Sequence, residues 1–305
     1  VTVTPLVEVL VLGKTGQLAK ALARFHPPDW RLDFADRQQI DLASPALAAL
    51  TVMERKPALV INAAAYTAVD KAEAESELAM RINAQAPGTI AQACAELDVP
   101  FVTMSTDYVF DGMKDNAYTE EDDVCPVSAY GLSKAEGERQ VRAVHNWHLI
   151  LRTSWVFSAF GHNFVRTMLR LSEQDRNVNV VADQRGKPTA ANDLAAAVIA
   201  ASRTLLSDRA VSGTYHVANA GTTSWYAFAT AIFDRTQERG LSAPAVHPID
   251  SSEYPTPARR PANSELATGK FERIFGLELR HWREPLVEVL DELLICPPAS
   301  PSVEG

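Results

Sequence analysis

Short, continuously apolar runs alternate with longer stretches of three-to-four-residue periodicity along the first half of the chain. Val7–Leu12 is a β-favouring run that ends at Gly13, and a helical pattern follows from Gln17 to about Arg24. Arg31–Ala35 reads as a weaker strand. Ser44 and Pro45 then open a helix, with Ser as N-cap and Pro at the first helical position. Ala58–Asn62 is apolar almost throughout, the pattern of a strand covered on both faces. A helical stretch, Glu77–Leu97, leads to the strand Pro100–Met104, and the helix Tyr130–Val144 leads to the strand His148–Arg152. This alternation predicts an α/β fold, a doubly wound parallel sheet of Rossmann-like type.

The second half is less regular. Phe164–Ser172, Asn192–Leu205, Trp225–Arg239 and Glu284–Leu294 have helical patterns, with short strands at Val178–Val181 and Thr214–Val217. Prolines gather at positions 244, 248, 255, 257 and 261. The expected organisation is a dinucleotide-binding unit over residues 1–155, then a smaller C-terminal substrate-binding lobe over 156–296 interleaved with the last strands of the sheet. A Pro- and Ser-rich tail, 297–305, is expected to be disordered.

Composition narrows the function classes. With 47% apolar and 22% charged residues, the chain is neither disordered nor fibrous. It has no apolar run near the roughly 18 residues that a membrane helix needs, and its first residues lack the pattern of a secretory signal. A cytoplasmic location is expected. The net charge of −9 is a poor match for nucleic acid or an anionic membrane. Cysteines at 94, 125 and 296 are odd in number and widely spaced, which argues for reduced thiols and no structural zinc.

Chemistry enters at Gly13-Lys14-Thr15-Gly16-Gln17-Leu18-Ala19, which joins the first strand to the first helix. A turn of small residues lets the backbone approach a pyrophosphate, and the helix start offers free N–H groups. Lys14 and Thr15 precede the second glycine, so this is not a P-loop. At the end of the second strand Asp36 suits a ribose 2′-hydroxyl and Arg37 a 2′-phosphate, which leaves NADH and NADPH both open. Asp41 and Leu42 are candidates to frame the adenine. Ala63, Ala64 and Ala65 end the third strand with side chains small enough for a dinucleotide to pass.

Tyr130 and Lys134 stand four apart on one helical face. A free tyrosine ionises near pH 10, and a neighbouring ammonium lowers that value, so the pair suits proton exchange with a carbonyl that accepts hydride. Ser105-Thr106-Asp107-Tyr108 follows a predicted strand, at the edge where open α/β sheets bind ligands. Thr106 is placed there to hydrogen-bond a reacting oxygen. Arg259 and Arg260, two cations in a proline-stiffened loop, are candidates for a diphosphate.

Together these parts resemble the extended branch of the short-chain dehydrogenase/reductase superfamily. The strings Gly13–Leu18, Asn62–Glu73, Ser105–Phe110, Arg152–Phe157, Asn163–Leu169, Asp183–Thr189, Gly221–Tyr226 and Tyr254–Ser264 are similar to the dTDP-4-dehydrorhamnose reductase family, in consistent order from about residue 7 to 294. The resemblance implies a catalytic set of Thr106, Tyr130 and Lys134. Tyr130 would protonate the sugar C4 oxygen and Thr106 would hold it. Lys134 would lower the Tyr130 pKa and bind the nicotinamide ribose. Cofactor contacts would come from Gly13, Thr15, Gly16, Gln17, Leu18, Asp36, Arg37, Asp41, Leu42, Ala63, Ala64 and Ala65. Asp107, Tyr108, Trp155, Arg259 and Arg260 would join Thr106 on the substrate. Asn83 falls where the superfamily often has a structural asparagine.

The implied function is NAD(P)H-dependent reduction of a dTDP-4-keto-6-deoxyhexose, with NADPH preferred and NADH also accepted. The partners are that substrate and, for the chain itself, a monomeric or homodimeric state. The rivals are a 4-ketoreductase for another deoxysugar and a non-catalytic NADP-binding regulatory subunit. A 4,6-dehydratase is disfavoured, because Tyr108 stands where that family has an acid. Some relatives dimerise through magnesium. Here Asn192 replaces a Glu ligand, so no metal site is expected despite Glu288, Asp291 and Glu292 on the last helix.

Overall fold

The computed structural model describes residues 6–172 and 177–295. The expected disordered tail, 297–305, and Cys296 lie outside them. The first half folds as β1 (Val7–Leu12), α1 (Gln17–Phe25), β2 (Trp30–Ala35), α2 (Pro45–Arg55), β3 (Leu59–Asn62), α3 (Val69–Ala72), α4 (Ser76–Met80), α5 (Ala86–Leu97), β4 (Phe101–Thr106), α6 (Ala129–Val144) and β5 (His148–Thr153). The second half adds β6 (Val156–Phe157), α7 (Phe164–Ser172), β7 (Val178–Val181), β8 (Arg185–Gly186), β9 (Thr189–Ala190), α8 (Ala191–Ser207), β10 (Gly213–His216), β11 (Thr223–Ser224), α9 (Trp225–Glu238), β12 (Val246–Ile249), β13 (Asn263–Ser264), α10 (Gly269–Phe275) and α11 (Arg283–Ile295).

Six strands form one parallel sheet in the order β10-β5-β4-β3-β1-β2. The chain starts in the interior at β1, runs out to the β2 edge, then crosses back to β3. The order therefore reverses between β1 and β3, and the crevice beyond their carboxyl ends is where such sheets take ligands.

The apolar runs follow from two covered faces. Val9 and Val11 of β1 pack with Leu18 and Leu22 of α1 and with Ala195 and Val198 of α8. Leu10 and Leu12 point the other way, to Val52 of α2 and Ile90 and Cys94 of α5. Each such side chain, removed from water, contributes roughly 1.5–3 kcal/mol. A third core, around Phe157, Val165, Phe228, Ile232, Trp282 and Leu290, holds the smaller lobe together. Between these segments α8 and β10 return to the large sheet, so the two lobes are interleaved. Among the described residues no helix is long and apolar enough to cross a membrane.

Two local expectations are corrected. The single helix expected at Glu77–Leu97 is α4 and α5 joined by a π turn, Arg81–Gln85. Pro87 has no N–H to give the carbonyl of Asn83, and the Ala86 N–H reaches back to Arg81 instead. Ser44 does precede α2, with Pro45 at its start, but its side chain makes no capping bond.

Candidate active site

The glycine loop lies at the sheet's switch point. Gly13 has φ +100°, and a Cβ there would stand 3.2 Å from the Ala64 Cβ. The ends of β1 and β3 thus approach closely, and together with the positive φ this favours glycine at position 13. Gly16 is the N-cap of α1 and offers no side-chain cap. The first amide to find a helical acceptor is Lys20, bonded to the Gly16 carbonyl at 3.0 Å. Among the described residues the N–H groups of Gln17, Leu18 and Ala19 have no helical acceptor, as an anion site requires. This cradle fits the pyrophosphate of a dinucleotide, with exposed Thr15 at its rim.

Several side chains in this set have structural duties. Leu18 and Leu42 are buried in the two sheet cores. The Gln17 amide reaches the other lobe. It donates to the Val156 carbonyl at 3.2 Å and accepts from the Ser158 hydroxyl at 2.7 Å and from Asn163 at 3.1 Å. Ala63 and Ala64 pack against opposite sheet cores.

Asp36 is engaged in its own turn, where Oδ1 accepts from the amides of Gln38 and Gln39 at 3.0 and 3.2 Å. Arg37 is 79% exposed and loosely paired with Asp41 at 3.5 Å. The acid is therefore tied down and the cation free to move, which favours a 2′-phosphate over a bare ribose.

Thr106 ends β4, and its hydroxyl donates to Asp107 Oδ1 at 2.8 Å. Helix α6 meets this turn closely: a Cβ on Gly131 would lie 2.1 Å from the Tyr108 carbonyl oxygen. Ser128 caps the helix by accepting from the Gly131 amide at 3.2 Å. Tyr130 is thereby set edge-on to Tyr108, ring centroids 5.6 Å apart. Asn83, in the π turn, holds the Tyr66 backbone through two 2.9 Å bonds and donates to Ser133 of α6 at 3.0 Å. That is the structural role expected of it.

Burial raises the Tyr130 pKa above its ordinary value; the Thr106 hydroxyl opposes this, and Asp107 and Tyr108 add to it. The phenol is thus protonated at neutral pH, the form a proton donor needs. Burial pushes Lys134 down to about 8, against the pull of Glu138. Its ammonium donates to the Met104 carbonyl at 2.7 Å. The Lys134 ammonium is thus turned to the β4 backbone.

Asp107 is fully buried, and its Oδ2 has no partner among the described residues. Burial pushes its pKa up to about 6, although Thr106, Ser264 and nearby amides pull the other way. A carboxyl that resists ionisation in the fold lowers stability as pH rises. There is no cost at about pH 3 and lower, where both states hold the proton, and the full cost comes above the folded value. Asp107→Asn is therefore expected to stabilise the protein by about 3 kcal/mol at pH 7.5. The gain should vanish at about pH 3. Thermal unfolding at the two pH values checks this, and a gain independent of pH contradicts it.

The residues expected at the substrate come from both halves of the chain. Trp155 follows β5 with φ +46°, a left-handed conformation that is strained for a bulky side chain. Its ring stacks on Trp225, centroids 3.6 Å apart, and covers Gly186 so closely that a Cβ there would touch it at 2.5 Å. The two arginines separate. Arg260 pairs with Asp70 of α3 at 2.7 Å and acts on Tyr108, offsetting part of the burial that pushes that phenol up to about 12. Arg259 is exposed, and among the described residues it has no ion-pair partner. Asp70 was not legible beforehand; an acid spaced 190 residues from its arginine carries no sequence signal. On the last helix Glu288 pairs with Arg280, Asp291 with Arg235 and Arg239, and Glu292 with Arg24.

A family model described as RmlD substrate binding domain matches residues 7–295. A dTDP-4-dehydrorhamnose reductase of Sinorhizobium fredii is 44% identical over 290 residues, 94% of this chain and 98% of that one. Among solved structures, a dTDP-4-dehydrorhamnose reductase from Clostridium acetobutylicum aligns with a TM-score of 0.87 and 38% identity, covering 94% of this chain and 99% of its own. Another from Bacillus anthracis, in complex with NADP, aligns with a TM-score of 0.86 and 35% identity, covering 94% and 100%.

Proposed function

The chain belongs to the dTDP-4-dehydrorhamnose reductase family, and from that premise we propose that it reduces the C4 ketone of dTDP-4-dehydro-β-L-rhamnose to dTDP-β-L-rhamnose with NADPH. The observation that carries this reading is the convergence of Thr106, Tyr130 and Lys134 on the carboxyl edge of the sheet that bears the Gly13 cradle.

The residues divide the work. Gly13, Gly16 and the first amides of α1 hold the cofactor pyrophosphate, with Thr15 and the small run Ala63–Ala65 alongside. Arg37 takes the 2′-phosphate, while Asp36 and Asp41 shape that turn. The reduced nicotinamide, when bound, supplies the hydride. Tyr130 gives its phenolic proton to the C4 oxygen, so the ketone becomes a hydroxyl. Thr106 hydrogen-bonds the same oxygen and fixes it within reach of Tyr130. Lys134, charged at pH 7, adds a positive field for the phenolate left behind. Asp107, Tyr108 and Trp155 line the sugar site, and Arg259 and Arg260 meet the diphosphate. We place the enzyme in the cytoplasm, as a monomer or homodimer.

Incubation with NADPH and dTDP-4-keto-6-deoxyglucose, with and without a 3,5-epimerase, tests the sugar. The expected result is NADPH consumption and dTDP-L-rhamnose by NMR only when the epimerase is present. A product formed without it contradicts the namesake reaction and points to another deoxysugar.

A further inference from the structure

Behind the catalytic groups lies a buried cluster of charges. Helix α6 carries Tyr130, Lys134 and Glu138 at four-residue spacing, one face of one helix. Glu138 is 2% exposed and saturated with donors. The Ser105 hydroxyl donates to Oε1 at 2.6 Å, Arg152 of β5 donates to Oε1 at 2.8 Å and to Oε2 at 2.7 Å, and Arg142 reaches Oε2 at 3.1 Å. Arg152 in turn lies over the Phe110 ring, 5.1 Å from its centroid, and beside His216 Nε2 at 3.4 Å. Ser105 directly precedes Thr106. One carboxylate thus ties the helix bearing Tyr130 and Lys134 to the strand that delivers Thr106 and to the next strand of the sheet.

We propose that Glu138, locked in place by Arg152, is a positioning residue that keeps Lys134 in its ammonium form inside the fold and fixes α6 against the end of β4. Burial alone favours the neutral amine. The titratable and charged groups of this neighbourhood are Tyr130 and Glu138, one turn to either side of Lys134 on its own helix, Asp107 and Tyr108, which act on Tyr130, Arg152 and Arg142, which bond Glu138, and His216 beside Arg152. Among these it is Glu138 whose charge favours the protonated lysine. Burial works against ionisation of Glu138 itself, but Arg152, Ser105 and Arg142 outweigh it and keep the carboxylate below its usual range. The pairing of Glu138 with a planar, permanently charged guanidinium suits this task, since the acid cannot neutralise itself by taking Lys134's proton.

The role rests on the reductase reading, whereas its test reads Lys134 directly. Glu138→Gln alone leaves Arg152 buried without a counter-charge and is strongly destabilising. The double variant Glu138→Gln/Arg152→Met removes both charges and keeps a partner for Ser105. Lysine labelled with ¹³C at Cε, with the Lys134 signal identified by its loss in Lys134→Arg, is titrated by NMR in the free protein. The parent midpoint is expected at about 8 and that of the double variant clearly lower, with the alkaline limb of kcat/KM moving down in parallel. A merely structural role lowers activity evenly across pH and leaves the midpoint where it was; a folded double variant with an unmoved Lys134 midpoint overturns the proposal. A shifted midpoint in a chain that reduces no dTDP-sugar supports Glu138's action on Lys134 and overturns the reductase reading instead.

Discussion

Tyr130→Phe is expected to lower kcat by about 10²–10⁴ while leaving NADPH affinity nearly unchanged. The substitution removes one hydroxyl and keeps the ring, which packs with Ala72, Ala79, Tyr66 and Tyr108. Stability should therefore hardly change. The hydroxyl is the only group that the account asks to give up a proton, and burial keeps it protonated at neutral pH. The loss corresponds to about 3–5 kcal/mol of transition-state stabilisation, within the range of a single acid catalyst. Steady-state NADPH oxidation, beside a fluorescence titration with NADPH, separates the two effects. Near-full turnover in the variant would remove Tyr130 from the chemistry.

Arg259→Ala/Arg260→Ala is expected to raise the sugar-nucleotide KM by about tenfold to a hundredfold, since a charge-assisted bond is worth about 1.5–3 kcal/mol. NADPH affinity should stay nearly constant, because the glycine cradle and Arg37 are on the other lobe. The contributions of the two residues differ. Arg259 is an exposed cation. Arg260 is anchored by Asp70 and also acts on Tyr108, so its loss loosens the loop as well as removing a charge. Arg260→Ala alone should therefore cost more than Arg259→Ala alone. Measurement of both constants in all three variants decides the matter. An unchanged sugar-nucleotide KM in the double variant would return the pair to a solvated turn.

The large sheet was legible because both its faces are covered. Val9–Leu12 and Leu59–Ile61 are buried throughout and leave no room for polar alternation, and their runs therefore stand out. The smaller lobe was less so. Its strands β6, β8, β9, β11 and β13 are two residues long and exist through pairing with distant segments. Strand β12 contains Pro248, which breaks any strand pattern, yet it pairs in parallel with β7. Helix α10 was not anticipated either. The π turn depends on Pro87 and on how α6 crosses Asn83, a tertiary matter.

The site shows the same division. Tyr130 and Lys134 announce themselves by spacing, and Thr106 by its place after an apolar strand. Glu138 does not, because an acid near the middle of a helix usually faces water; only the structure puts Arg152 opposite it. The spacing of Tyr130, Lys134 and Glu138 was the available signal. That the Lys134 ammonium meets a backbone carbonyl, that of Met104, is likewise seen only in the structure.

The central claim is tested most directly by following one hydrogen. NADPH carrying deuterium at the transferable position of nicotinamide C4 is mixed with the chain and enzymatically prepared dTDP-4-dehydro-β-L-rhamnose, and the product is read by NMR and mass spectrometry. The account predicts dTDP-β-L-rhamnose with one deuterium at C4, formed mole for mole with NADPH oxidised, and no such product from Tyr130→Phe on the same timescale. Unlabelled product, deuterium at any other carbon, or no oxidation of NADPH with this substrate would contradict it.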